Sequence, residues 1–481
     1  MTGEPGRPRP PLAGPARRSA PPLPADELEA WAASGAMSLT GRPDGPPLAP
    51  PPGFVPRLRA IGDALTRHSE ALGRRVEVDV LALLGERAAL AGLRRGGDVS
   101  CGGSARLLRC ADGWLAVNLP RPDDVDLLQA WLAGLPFDPA PVPDGRPRSY
   151  AGAAAVPERI TPRKRGHSAP APMSGPPVSP GLWTSVAAAV AAERVDPLTR
   201  RAQLLGLAVA ALPHEPVPAP LSTGPLAGLP LGATESGAPA PDTPRPLRTL
   251  DGVLVVDLSS LWAGPLCTNL LQAAGARVIK VESLHRPDGA RFGPAAFFDL
   301  LHAGQEAVAV DFRTGEGRTA LRRLIEAADV VVEASRPRAL EQLGFAPEAV
   351  VAGQTPGPRV WVSITGYGRA APGRDRVAFG DDAAVAGGLV ARDGAGPCFL
   401  ADAVADPCAG LVSAAAALSA LRAGGRWLLD VSMRDVAAHL AGPITGPQPV
   451  PPFAAAPPRA RALPPAAPHE PAGWWQAAPG W

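Results

Sequence analysis

VLVVDLSSLWAGPLCTNLLQAAGARVIKVES, residues 253–283, is the stretch whose reading decides the fold. Val253 to Leu258 is a short run rich in β-branched residues. Leu261 to Ala274 is apolar at helical spacing, Gly275 stops that helix, and Arg277 to Val281 is a second strand ending in Glu282. Outward from this strand-helix-strand unit, Ala307 to Asp311 reads as a third strand, GEGRTALRRLIEAA as a helix, Asp329 to Glu333 as a fourth strand, and Arg359 to Ile364 as a further one. Strands apolar on both faces and separated by helices predict an α/β unit with a Rossmann-like parallel sheet flanked by helices. Glu282 stands where an acid could accept ribose hydroxyls. After the first strand, however, the chain reads Ser259, Ser260, Leu261, Trp262, Ala263, Gly264, Pro265, without the GxGxxG that a close pyrophosphate approach needs, which argues against a conventional NAD site.

The 481 residues suffice for two to four domains, but 62 prolines and 53 glycines concentrate in linker-like segments and shrink the folded part. A net charge of +2 gives no bias toward nucleic acid or an anionic membrane. The five cysteines, Cys101, Cys110, Cys267, Cys398 and Cys408, are odd in number and form no CxxC pair, which fits a reducing cytosol and no metal site. The amino terminus lacks the apolar core of a signal peptide. The nearest approach to a membrane span, AVADPCAGLVSAAAALSALRA, is alanine-rich and reads as a buried helix. A cytoplasmic setting with no membrane contact is expected.

Five regions follow from composition: a disordered tail over 1–25, a folded region over 26–212 with a small α+β domain at about 100–136, a linker over 213–247, the sheet-bearing domain over 248–441, and a disordered tail over 442–481. Within the second region Pro56 to Ala71 is amphipathic. Ala105 to Cys110 and Trp114 to Leu119 flank an Asp112-Gly113 turn, a strong hairpin signal. Asp124 to Leu135 and Leu182 to Ala211 read as helices, and the basic cluster Arg163, Lys164, Arg165 lies in a loop. An internal repeat also emerges: ASGAMSLTGRPDGPP from Ala33 resembles AGGLVARDGAGP from Ala386, and RRVEVDVLALLGERAALA from Arg74 resembles GRWLLDVSMRDVAAHLA from Gly425. The offsets, 353 for Gly35 and Gly388 and 351 for Asp79 and Asp430, differ by two residues and suggest a duplication.

Three segments, VVDLSSLWAGPLCTNLLQAAGARVIKVES, AVAVDFRTGEGRTALRRLIEAADVVVEASRPRALEQLG and VSITGYGRAAPGRDR, together resemble the class III CoA-transferases. This CaiB/BaiF-like family, the formyl-CoA/carnitine CoA-transferases, also contains α-methylacyl-CoA racemases. The amino-terminal half resembles the remainder of the same family through MSLTGRPDGPP and GGSARLLRCADGWLAV, in an order that looks like a permuted or partly duplicated unit. The resemblance implies a class III CoA-transferase fold and transfer of coenzyme A from an acyl-CoA thioester to a carboxylic acid through an aspartyl covalent intermediate. It further implies a homodimer and no tightly bound cofactor, with acyl-CoA as substrate.

The family's PGYDxxAQAxSG segment falls on FGDDAAVAGG. An ungapped match puts the nucleophile at Gly380 and a one-residue shift puts it at Asp381, with Asp382 the other candidate. Two acids opening a helix could equally be a cap. By the same resemblance Lys280, Glu282, Arg291, Arg336, Gly366 and Gly368 are expected at CoA, and Gly387 and Gly388 at the oxyanion or its loop. The family's cationic NRGKRS loop reads LHAGQEAVA here, with Ala303 and Gln305 at the cationic positions and Glu306 adding an acid. Two alternatives accompany the transferase reading: a catalytically silent acyl-CoA-binding homologue or partner subunit, and a racemase of the same fold. His285 and His439 do not clearly fit the acid/base roles of the racemase.

Overall fold

The computed structural model describes residues 23–137, 179–235, 244–353, 356–447 and 451–462. The basic cluster at 163–165 and nearly all of the tail expected over 1–25 lie outside the described residues. In chain order the strands are β1 (Ala105–Arg109), β2 (Trp114–Asn118), β3 (Ala208–Ala211), β4 (Gly232–Glu235), β5 (Leu254–Asp257), β6 (Arg277–Ser283), β7 (Glu306–Val310), β8 (Val330–Glu333), β9 (Val360–Thr365), β10 (Ala391–Asp393), β11 (Gly396–Cys398) and β12 (Trp427–Ser432). The main sheet runs β4-β12-β9-β8-β5-β6-β7, parallel throughout except that β4 pairs antiparallel with β12. Chain order reverses between β5 and β8, the place where the carboxyl ends of neighbouring strands open a crevice.

Alternate residues of each central strand feed opposite faces, as a doubly covered sheet requires. Val255, Val330, Val332 and Val362 pack with helices Ala263–Ala273 and Ala405–Ala423 on one face. Val256, Val331 and Trp361 pack with Leu321, Leu324 and Ile325 of helix Gly315–Ala327 on the other. Helix Ala405–Ala423 is buried almost all round and rich in small residues. A Cβ on Gly410 would lie 2.6 Å from Ala263 O, so that glycine permits the closest approach of the two helices.

Strands β1 to β3 form a separate antiparallel sheet. One face carries its own core with Trp131, Trp183 and Leu198, and the other packs on helix Gly380–Ala386 through Ala116, Ala210 and Val385. The Asp112-Gly113 hairpin forms with Arg109 opposite Trp114. The segment expected to be helix from Leu182 to Ala211 is two helices, Pro180–Val190 and Val195–Leu204, and then β3. Gly206 at φ +75° turns the chain after the second helix, and pairing with β2 overrides the helical preference of the alanines that follow. Likewise the helix expected over Asp124 to Leu135 is split into Pro122–Asp126 and Leu128–Trp131.

Further expectations change as well. The linker expected over 213–247 supplies β4, which covers what would be an open edge of β12. Within the tail expected to be disordered over 442–481, residues 451–462 return to the amino-terminal half. Ala456 N donates to Ala32 O at 2.9 Å, and Arg461 Nε and Nη2 meet the Glu86 carboxylate at 2.5 and 3.1 Å. The boundary expected between 26–212 and 248–441 is bridged by one continuous core, in which Phe54, Leu58 and Leu65 of helix Phe54–Ala71 share a cluster with Leu266, Leu270, Leu411 and Leu418. Val76–Val80, set by the repeat against the stretch containing β12, joins no sheet.

The Arg461 strap holds a carboxylate whose side chain is 1% exposed. Arg461→Ala leaves Glu86 buried without its cation and is expected to cost about 3 kcal/mol, read as a lowered urea midpoint with unchanged slope. Arg459→Ala, which removes an exposed pair with Asp79, is expected to cost under about 1 kcal/mol.

Candidate active site

Helix Gly380–Ala386 begins with Asp381 and Asp382 side by side, and their side chains have different partners. Asp382 is the cap: its Oδ1 accepts from Phe379 N at 3.0 Å and from Asn118 Nδ2 at 2.9 Å. Its Oδ2 is buried without a partner among the described residues. Asp381 turns toward the loop before helix Ala405–Ala423, where its Oδ1 accepts from Ala403 N at 3.2 Å. That loop is bent sharply, with Ala401 and Ala403 left-handed at φ +51° and +44°. It is held from the amino-terminal half: Thr40 Oγ1 accepts from Ala401 N at 3.0 Å, and Arg87 grips Asp402 with Nε and Nη2 at 2.7 and 2.5 Å. The Arg87 guanidinium also lies 5.6 Å from the Trp262 ring centre. Cys101 Sγ, 3.3 Å from Ala401 O, closes another side.

Asp406, in the first turn of helix Ala405–Ala423, completes a group of four carboxyls. Burial raises Asp381 to about 6, with Asp402 adding to the shift and Arg87, Ala403 N and Ser100 opposing it. Burial raises Asp382 to about 7 against the Asn118 and Phe379 hydrogen bonds, and raises Asp406 to about 8 against Arg87. Gly387 and Gly388 stand at the far end of the same helix. Gly387 is its cap, where a Cβ would meet Arg434 O at 2.6 Å, and Gly388 at φ +82° leads the chain out. The structure does not bring these glycines to the carboxylates.

The residues expected at CoA are divided. Lys280 is fully buried: its Nζ lies 3.0 Å from Asp288 and 3.6 Å from Asp257, and donates to Ser259 O at 2.5 Å. Glu282 accepts from Asp288 N at 2.7 Å and pairs bidentately with Arg291, whose guanidinium stacks 4.2 Å from the Phe298 ring centre. These three side chains are therefore turned into an internal network that fixes the loops after β5 and β6. Gly366 and Gly368 serve packing and turning: a Cβ on Gly366 would lie 2.6 Å from Ala378 Cβ, and Gly368 has φ +85°. Arg336 is different. It begins the helix after β8, and its pKa is lowered by burial and then by Arg338, Arg121 and Arg286. Arg121 is engaged by Asp124 and Arg338 lies 4.0 Å from Asp375, while Arg286 and Arg336 have no side-chain partner among the described residues. Four guanidiniums thus crowd near the carboxyl ends of β6 and β8, a setting that favours a polyanion. Arg121 and Arg286 carry no motif, and their convergence depends on the small domain folding over the sheet.

His285 pairs with Asp311 at 3.0 Å and His439 lies beside Arg57, so neither joins the carboxyls. Among the described residues no group of His, Cys, Asp and Glu could hold a metal, and no helix is long and apolar enough to cross a membrane.

The family model described as CoA-transferase family III matches residues 250–481. The likeness to CoA-transferase family III therefore rests on the carboxyl-terminal part of the chain. Its mixed α/β fold with parallel strands is consistent with the family. The chain is 32% identical over 205 residues to a succinyl-CoA--D-citramalate CoA-transferase of Chloroflexus aurantiacus, 40% of this chain and 50% of that protein. It is 34% identical over 187 residues to an (R)-2-hydroxy-4-methylpentanoate CoA-transferase of Clostridioides difficile, 36% of this chain and 46% of that protein. The chain thus spans about half the length of these curated relatives. Among solved structures, a hypothetical protein of Mycobacterium tuberculosis is 32% identical over 40% of this chain and 57% of its own, with a TM-score of 0.37. The family III match covers Asp381, Asp382, Asp402 and Asp406, whereas Arg87, Ser100 and Asn118, which surround them, lie before it.

Asp381, Asp382 and Asp406 all titrate above the usual 3.8 of an aspartate. The folded protein therefore holds these protons more tightly than the unfolded chain, and each one lost leaves a buried charge. Their contribution to stability is present below about pH 4 and is lost as pH rises toward 8. Asp382→Asn is expected to flatten this decline, by about 3 kcal/mol between pH 4 and 8, in urea unfolding followed across that range. A decline as steep as in the native protein would contradict the assignment.

Proposed function

We propose that the protein transfers coenzyme A from an acyl-CoA thioester to a carboxylic acid through an acyl-aspartate at Asp381. The observation that carries this reading is the setting of Asp381. It is a carboxylate in a nearly dry site, titrating at about 6 and therefore ionised at neutral pH, with Arg87 near it and a main-chain N–H upon it. Asp382 is engaged in capping and is not the nucleophile of this reading. A carboxylate oxygen of Asp381 attacks the thioester carbonyl, and collapse expels CoA thiolate and leaves a mixed anhydride. The thiolate then attacks the aspartyl carbonyl, releasing the first acid and forming an aspartyl-CoA thioester. The acceptor carboxylate reopens that thioester to a second anhydride, and thiolate attack on the acceptor carbonyl frees Asp381 and the new acyl-CoA. No net proton is consumed.

The CoA phosphates fit the guanidinium group of Arg121, Arg286, Arg336 and Arg338, which supplies charge that Ala303 and Gln305 do not. Small carboxylic and hydroxy acids, as named for the relatives, are the first acceptors to try. The duplicated or permuted origin, the Rossmann-like classification of the sheet, the cytoplasmic setting and the homodimer belong to the same proposal. A silent acyl-CoA-binding homologue is the second reading, favoured by the 6% exposure of Asp381.

The test is mass spectrometry of the protein incubated with formyl-, acetyl- and succinyl-CoA and quenched with hydroxylamine. The expected product is an acyl-CoA-dependent hydroxamate on Asp381 that is lost in Asp381→Asn. CoA binding without any adduct would favour the silent homologue. Arg336→Gln is expected to weaken CoA binding about tenfold in calorimetry while leaving the unfolding midpoint within about 0.5 kcal/mol of the native value.

A further inference from the structure

We propose that a cavity at the turn end of the β1–β2 hairpin is a second binding site, which takes a small organic anion carrying a phosphate or a pair of carboxylates. The inference goes beyond the transfer reading above and does not depend on it.

Three observations carry it. The first is the cavity and its place. It has a volume of about 260 Å³, and its lining includes Arg109, Asp112, Gly113 and Trp114 of the hairpin, His214 after β3 and Arg392 of β10. That size lies below the range that encloses drug-sized ligands, so a compact ligand fits it and a whole acyl-CoA does not. Strand β2 runs from Trp114 at this cavity to Asn118 at Asp382, which separates the cavity from the candidate active site by about 13 Å of extended chain.

The second is charge. Asp112 is the one acid among the lining residues, and it is already engaged. Its Oδ2 accepts from Arg194 Nε at 3.0 Å and its Oδ1 from Val195 N at 2.9 Å, at the start of helix Val195–Leu204. Arg109 makes no ion pair or side-chain hydrogen bond among the described residues, and its guanidinium lies 5.6 Å from the Trp114 ring centre. An indole steadies a guanidinium without occupying its N–H donors, which then match the paired oxygens of a phosphate or carboxylate. His214 likewise has no hydrogen-bond partner among the described residues and adds a ring nitrogen.

The third is the way the walls are held. A Cβ on Gly113 would lie 3.1 Å from His214 Nε2, and one on Gly396 would lie 2.8 Å from Trp114 Cζ2. Glycine at these two positions lets the imidazole close on the hairpin turn and the indole close on β11. The walls thus come from three segments distant in sequence. An anion between them ties the small domain to the β10–β11 hairpin, which runs on through Phe399 and Leu400 into the bent loop at Ala401.

The experiment is calorimetric titration of the full chain at constant ionic strength with inorganic phosphate and, separately, with succinate. Saturable binding of one equivalent is expected for at least one of them. Phosphate alone would mark a phosphate-ester site, and succinate alone a dicarboxylate site. Arg109→Gln is expected to weaken the binding at least about tenfold. Arg336→Gln is expected to leave it unchanged, which separates this cavity from the arginines at the strand ends. Should Arg109→Gln fail to fold, as read from its urea midpoint, His214→Ala decides, with a loss of about threefold expected. No saturable binding of either anion, native affinity in the folded variant, or loss of binding in Arg336→Gln would overturn the assignment.

Discussion

The ion pair between Arg87 and Asp402 joins residues 315 apart in sequence, and the candidate site depends on it. Asp402 lies between two alanines in left-handed conformation, a backbone that L-residues adopt at a cost. The bidentate guanidinium, the Thr40 acceptor on Ala401 and the Asp381 acceptor on Ala403 together hold the bend. Because Asp402 is wholly buried, its charge requires the cation, and helix Glu86–Ala91 must therefore sit where it does. The residue before Arg87 is pinned in turn by Arg461, so the returning strap and the bent loop at Asp402 are two ends of one polar chain.

Packing imposes the same union. Helix Ala405–Ala423 has no solvent face to give up, and its small residues admit helix Ala263–Ala273 on one side and helix Phe54–Ala71 on another. Neither half of the chain could cover that helix alone. The small domain adds a second join, since its inner face packs on helix Gly380–Ala386 and carries Asn118 to Asp382. The carboxyl group is thereby kept from water, which raises its proton affinity and strengthens any charge interaction inside it.

Electrostatics near the sheet ends follow a different division from the one the motifs suggest. Lys280, Glu282 and Arg291 look like ligand contacts because they follow a strand of the expected kind, yet each is saturated by partners within the protein. Their work is to fix the loop at Leu261, itself left-handed at φ +71° and held by Asp288. Uncompensated positive charge collects instead at Arg286 and Arg336, near Arg121 from the small domain.

Several features were legible from order and spacing. The β-branched runs of β5, β6, β8 and β9, the helices between them and the Asp112-Gly113 hairpin all rest on local preferences that the tertiary structure reinforces. The pair Asp381 and Asp382 was legible as a motif, and so was its ambiguity, because a cap and a nucleophile use the same residue at the same place. What sequence could not supply was contact between distant segments. That β3 and β4 are strands follows from edges that needed pairing, not from their alanine and glycine content. Arg87, Asn118 and Arg461 stand in ordinary local contexts, and Asp406 reads as the start of an alanine-rich helix. Their roles arise only where two helix starts, a bent loop and the small domain converge, because desolvation and charge pairing depend on distance through space. The sequence by itself determined the sheet and its covering helices through local periodicity, while the tertiary structure alone decided which carboxyl caps, which pairs and which is left open.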